Sequence, residues 1–235
     1  MTSYPVIFDT TRPEKFDRTQ VVIRILVVLL LSILAGAFGW LLGIVYLAIP
    51  VIAAILISQK GAEGYLGEKG GVNMTLLQWY FAIYSYLLLL TDRFPTDNPQ
   101  NEIRFEVTPT GSPTVGSALL RLIFSIPSAI VVGILGIAGF VVLIIAVISV
   151  LIQEQYSEGL YNFQLGIMRW QARLMGYHAS LVDEYPPFAL DTGHDESAPA
   201  ATMDAAPAPP AAEPAPPPPP EPAPPPPSPE EPTQP

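Results

Sequence analysis

The sequence predicts a mainly α-helical integral membrane protein, built as a tandem internal repeat and ending in a disordered proline-rich tail. Three observations predict it. First, two long runs, Ile25–Gln59 and Leu122–Gln153, carry no charged residue. A helix rises about 1.5 Å per residue, and a bilayer's hydrocarbon core of about 30 Å needs about 20 residues to cross. Each run is too long for one upright span and short for two, so each reads as a helical hairpin. Second, an ordered series of residues before, within and after the first run recurs around the second. Third, Gly193–Pro235 holds 18 of the 28 prolines in the chain.

The elements follow in order. Tyr4–Asp9 sets aromatic and β-branched residues beside a proline and reads as a short strand. Arg12-Pro13 ends it, and Glu14–Gln20 leads into the first run. There Gly36, Gly39 and Gly43 surround Trp40 and mark the expected bend, since glycine turns where other residues are strained. Pro50 is expected to kink the second limb. Lys60–Asn73 is a glycine-rich polar connector without the Gly-Lys-Ser/Thr ending of a phosphate loop. Met74–Leu90 is aromatic and uncharged, and Thr96–Glu102 reads as a linker.

The pattern then restarts. Val6-Ile7-Phe8-Asp9 meets Ile103-Arg104-Phe105-Glu106 at an offset of 97, which also takes Arg24 onto Arg121, Gly36 onto Gly133 and Gly39 onto Gly136. At an offset of 91, Trp79 meets Trp170, Tyr86 meets Tyr177, and Asp92-Arg93-Phe94-Pro95 meets Asp183-Glu184-Tyr185-Pro186. Each half is therefore a short strand, a membrane hairpin, an aromatic or amphipathic helix and an Asp-x-aromatic-Pro turn. The expected boundaries are 1–96 and 103–192 for the repeats, 97–102 for the linker and 193–235 for the acidic tail.

The third helix of the second half carries an apolar stripe, Leu160, Phe163, Ile167, Trp170, Leu174, Tyr177 and Leu181, with Arg169, Gln171, Arg173 and His178 opposite. Two readings stand side by side. The helix lies in the headgroup plane with its arginines toward anionic lipid, or it packs on the protein's own hairpins with its arginines in water. On the first reading the candidate lipid-interface residues are Arg169, Trp170, Arg173, Tyr177, Trp79 and Trp40. Asp92, Phe94, Pro95, Asp183, Tyr185 and Pro186 are candidate structural turns. The matching helix of the first half is apolar on both faces, so it lies deeper or spans.

Composition narrows the function. Half the residues are hydrophobic and 14% are charged, far fewer than the roughly one quarter usual in soluble domains. The net charge of −10 reflects a tail with acidic residues and no basic ones, and there is no basic footprint for nucleic acid. Zero cysteines exclude thiolate chemistry and disulfides. The two histidines, His178 and His194, sit in no metal-ligand spacing, and no Gly-x-Ser-x-Gly elbow occurs. Asp92, Asp183 and Glu184 are read as turn-capping groups ahead of an acid/base pair. No ionisable side chain lies inside either run, which argues against a proton or ion path. No catalytic, metal or cofactor site is expected. All 11 Lys and Arg lie outside the charge-free runs. With hairpins, all fall on one side, so the termini and tail are expected in the cytoplasm.

Tyr4-Pro5-Val6, Arg169-Trp170 and the ending Leu181-Val182-Asp183-Glu184-Tyr185-Pro186-Pro187-Phe188 together resemble a bacterial membrane family of unknown function, the DUF4389 domain. The resemblance covers about Tyr4 to Leu190. It departs in the first half, where Phe94-Pro95-Thr96 replaces Tyr-Pro-Pro. It implies a bacterial cytoplasmic-membrane location and no catalytic or binding residues. The expectation is a non-enzymatic membrane scaffold, adaptor or accessory subunit of a larger membrane complex, in contact with membrane lipids, whose proline-rich tail docks a protein partner. The alternative is lipid carriage or membrane shaping by hairpin wedges.

Overall fold

Strand-forming and helix-forming segments fall near their expected places. The computed structural model describes residues 4–68 and 70–190, without the side chains of 28–45. Strand β1 is Val6–Thr10 and strand β2 is Ile103–Val107. They pair antiparallel, Val6 with Val107, Phe8 with Phe105 and Thr10 with Ile103. Exchanging residues 97 positions apart turns the Val6–Val107 pair into the Thr10–Ile103 pair and returns Phe8–Phe105 to itself. The inner rings Phe8 and Phe105 both rest on Phe81, with centroids 5.4 and 5.0 Å away.

Helix α1 runs Arg18–Gly67, α2 Val72–Leu87, α3 Val115–Phe124, α4 Ile126–Gln153 and α5 Glu158–His178. Asp17 caps α1 by accepting from the Thr19 amide at 2.8 Å, and Thr114 caps α3 in a reciprocal box with Ser117. These two caps also stand 97 positions apart. Tyr46–Gly67 and Ile126–Gln153 are long and apolar enough to cross a membrane.

Helices α1 and α4 lie antiparallel. At one end the Arg18 guanidinium donates to the Ile152 carbonyl at 2.9 Å; at the other, the Tyr46 and Ser125 hydroxyls are 2.6 Å apart. Helix α5 fills the space between α4 and the sheet. On one side Gly139 admits Gln164 and Ile167; on the other Gly176 lies against Val6. Residues of both halves share one core.

The expected hairpins are not formed. Helix α4 continues through Gly133, Gly136 and Gly139, and the break in the second run falls earlier, at Ser125 between α3 and α4. Glycine permits a turn without compelling one, and apolar flanks keep the helical hydrogen bonds where nothing else can satisfy them. Gly139 serves close approach instead, since a Cβ there would lie 3.1 Å from Gln164 and Ile167. In the first run, α1 is helical from Arg18, and its one non-helical residue is Gly61, with φ 71°. Pro50 sits inside the helix without ending it. The connector expected at Lys60–Asn73 is helical up to Gly67 and begins α2 at Val72. The α2 helix, 16 residues long, is shorter than the roughly 20 needed to span.

Candidate functional site

The polar chemistry of the described residues gathers where each long apolar segment meets an Asp-x-aromatic-Pro turn. The Arg24 guanidinium lies over the Tyr86 ring, 4.3 Å from its centroid. It donates to the Thr91 carbonyl and pairs with Asp92 at 3.1 Å. Arg121 lies over the Tyr177 ring at 4.6 Å, donates to the Tyr177 carbonyl at 3.0 Å and to the Val182 carbonyl, and pairs with Asp183. The ring of each turn braces its tyrosine edge-on, Phe94 on Tyr86 at 5.2 Å and Tyr185 on Tyr177 at 5.3 Å. Both arginines are almost fully buried, and carbonyls, a carboxylate and a π face replace the water they lose. The turn residues predicted from sequence are thus the walls of two arginine seats. Pro95 and Pro186 are buried in them, while Phe94 and Tyr185 keep an exposed edge.

A second cluster joins α1, α3 and α5. Proline has no amide hydrogen, so Pro50 leaves the carbonyl four residues earlier, that of Tyr46, without its helical partner. His178 Nε2 donates to that carbonyl at 2.8 Å. A carbonyl only accepts, so Nε2 carries the hydrogen and Nδ1 accepts from the Ser125 hydroxyl at 3.0 Å. The Tyr46 ring stacks on the imidazole at 4.1 Å, and burial pushes the His178 pKa down. Trp170 Nε1 donates to the Ser128 hydroxyl at 2.9 Å, tying α5 to the start of α4.

Four of the six residues expected at a lipid interface lie inside the protein. Arg173 is 1% exposed and Arg169 8%, and Trp170 and Tyr177 are buried. Arg169 donates to the Phe8 carbonyl and pairs with Asp9, both at 3.3 Å. Arg173 donates to the Ala189 carbonyl. A helix wrapped on several sides shows no lipid face, and its arginines turn to buried acceptors that water cannot reach. The reading in which this helix packs on the protein agrees with its buried apolar stripe, but neither reading anticipated buried arginines. Trp79 is partly exposed on α2. The side chain of Trp40 lies outside the described residues. The sequence reading used Arg24 and Arg121 only as repeat markers and missed their shared role. Their spacing against Asp92 and Asp183 was the available signal. Tyr46 and Ser125 were missed as well; the interval from Tyr46 to Pro50 was the clue.

One polar cavity of about 400 Å³ opens beside the C-terminal end of α4, lined by Arg12, Glu14, Gln153, Gln155 and Glu158 among others. Beside it, Glu154 receives Lys15 at 2.5 Å and Arg18 at 3.1 Å. The Lys15 hydrogen bond holds the Glu154 carboxyl below the usual carboxylate range.

Residues 116–189 match the model of a domain of unknown function, DUF4389. The chain is a DUF4389 domain-containing protein. The match begins in α3 and ends beyond the second turn, so it holds the whole Arg121 seat together with α4 and α5. It is narrower than the extent from Tyr4 that the motifs suggest, and the Tyr4-Pro5-Val6 opening falls outside it. No curated protein and no solved structure matches the chain. Within the DUF4389 segment, every side chain of the second seat has a counterpart in the unmatched first half.

Proposed function

We propose that this DUF4389 protein is a non-enzymatic, membrane-embedded scaffold, adaptor or accessory subunit. One observation carries the reading. The buried arginines, the groups best suited to act on a substrate, are spent on the protein's own carbonyls and carboxylates. What remains outward is a long apolar surface on α1, α3 and α4 and a small charged sheet face. That division suits a body held by lipid that presents a platform to water.

We read the two halves as copies of one unit related by a twofold axis through the Phe8–Phe105 pair. The exchangeable strand register and the two seats support this. Basic residues at the ends of the apolar segments favour a cytoplasmic platform, with the proline-rich tail on the same side. In-membrane cross-linking of the full chain, compared with a chain stopped before Gly193, tests recruitment. A cross-linked protein lost with the tail is the expected result, and identical partner sets would end the adaptor reading. The alternative, lipid binding, draws on the polar cavity at the end of α4. It predicts lipid retained in native mass spectrometry from gentle detergent, reduced by Arg12→Ala.

A further inference from the structure

We propose that the apolar helices lie in the plane of one bilayer leaflet, so that the protein enters the membrane without crossing it. The proposal rests on the membrane-embedded reading and adds the surface and its partner, a single sheet of lipid.

Three observations carry it. The first is the direction of the apolar surface. The buried positions of α4, Ser128, Gly139, Val142, Ala146 and Val150, form one narrow stripe at helical spacing. The exposed large residues Ile130, Ile137, Val141, Ile144 and Ile148 fall on the arc opposite. The helix thus presents its apolar side directly away from α5, along its whole length. From Ile126 to Ile152 the only polar side chains are Ser128, which is buried, and Ser149, whose hydroxyl donates to the Gln155 carbonyl. Unbroken apolar surface on this scale is suited to hydrocarbon.

The second is what stands behind α4. Helix α5 flanks it from His178 beside Ser125 to Gln164 beside Gly139. The sheet covers the far side of α5, with Val6 at Gly176 and Thr10 at Tyr161. Asp9, Arg104 and Glu106 on the sheet's outer face therefore stand abreast of α4. Arg104 and Glu106 pair at 3.0 Å with much of both side chains in the open. With α4 upright, these charges would sit at hydrocarbon depth facing lipid, where exposed ionisable groups are costly and rare. With α4 flat, they face water.

The third is length. Helix α1 is unbroken from Arg18 to Gly61, and its charge-free part, Ile25–Gln59, is about 50 Å long. Fitting that into a core of about 30 Å requires a tilt well beyond the roughly 0–40° seen for spanning helices. Lying flat removes the mismatch, and Arg18 and Lys60 then mark the two ends of the immersed segment. Val22, Leu26, Leu47, Val51 and Ile55 continue the exposed surface on either side of its middle.

The chain has no cysteine, so single cysteines can be placed in the full-length protein without other changes. Nitroxide labels at Ile130→Cys, Ile137→Cys, Ile144→Cys and Leu151→Cys are read in vesicles of equal parts phosphatidylcholine and phosphatidylglycerol. Depth comes from the ratio of oxygen to water-soluble nickel collisions. In-plane helices give four depths within about 5 Å of one another, all in one leaflet. A label at Glu106→Cys collides freely with nickel. A profile that deepens to the bilayer centre and rises again, by roughly 15 Å, with Glu106→Cys shielded, overturns the proposal and leaves membrane embedding intact. Labels that stay in water at all four positions overturn both. Each variant is first required to melt like the parent. A site that does not is replaced by Ile134, Val141 or Ile148 on the same arc.

Discussion

The two arginine seats are built from matching residues yet lean on different partners. In the first, Asp92 is well shielded, its side chain 16% exposed, and one carbonyl, that of Thr91, accepts from the guanidinium. Arg24 Nε and Nη1 are left without a partner among the described residues. In the second, Asp183 is 59% exposed, and two carbonyls, Tyr177 and Val182, do most of the holding. An ion pair in water is worth little, whereas hydrogen bonds to a buried cation are not. The same pattern of residues therefore gives a carboxylate-led seat in one half and a carbonyl-led seat in the other.

The strongest way to break that comparison is to remove the cations. Arg121→Ala takes the cationic donor from both carbonyls, leaving the Tyr177 carbonyl with the Ser180 amide alone and the Val182 carbonyl without its guanidinium. It should cost about 3–5 kcal/mol, read as chemical unfolding in mild detergent. Arg121→Lys should recover only part of this, because one ammonium cannot reach both carbonyls and Asp183. Arg24→Ala should cost less, about 2–3 kcal/mol, since two of its nitrogens already lack partners. A larger loss at Arg24 than at Arg121 would reverse the ranking of the seats.

The carboxylates should rank the other way. Asp92→Asn should cost about 1–2 kcal/mol, for it also frees the Asp17 amide that Asp92 accepts at 2.9 Å. Asp183→Asn should cost under about 1 kcal/mol, given its exposure. Equal melting shifts for the two variants would show that burial does not separate the seats.

The smallest effect is one of pH. His178 has no histidine counterpart in the first half, where position 87 is leucine. Burial lowers its folded pKa below the usual 6.5 or so. The unfolded chain then takes up the proton first as pH falls. The stability that His178 contributes is complete above about pH 6.5 and declines below it, toward the folded pKa. His178→Gln should flatten that slope in detergent melts between about pH 5 and 7. An unchanged slope would assign the titration to other groups.

Much of this was legible beforehand. The aromatic and β-branched residues of Tyr4–Asp9 and their echo at Ile103 located both strands, and Asp92 and Asp183 stood out at fixed distances before their aromatic-proline pairs. What these residues hold was not legible, because Arg24 and Arg121 are distant from the turns in sequence and only packing brings them together. The glycines misled for a related reason. A turn and a close approach both require the absence of a Cβ, and the choice between them is made by a neighbour such as Gln164 that local sequence does not reveal. The arginines of α5 misled because helical periodicity separates faces without saying how many of them are covered.

Pro50 carries one more consequence. A helix with a missing rung has an address, a single carbonyl along its length that needs an outside donor. His178 supplies the rung from another helix, so α1 and α5 are keyed to each other at one axial position. Sliding α1 by a turn would leave the Tyr46 oxygen bare and the imidazole without its acceptor. The proline thus acts as a registration mark that fixes where along the apolar length of α1 the buried helix α5 is seated.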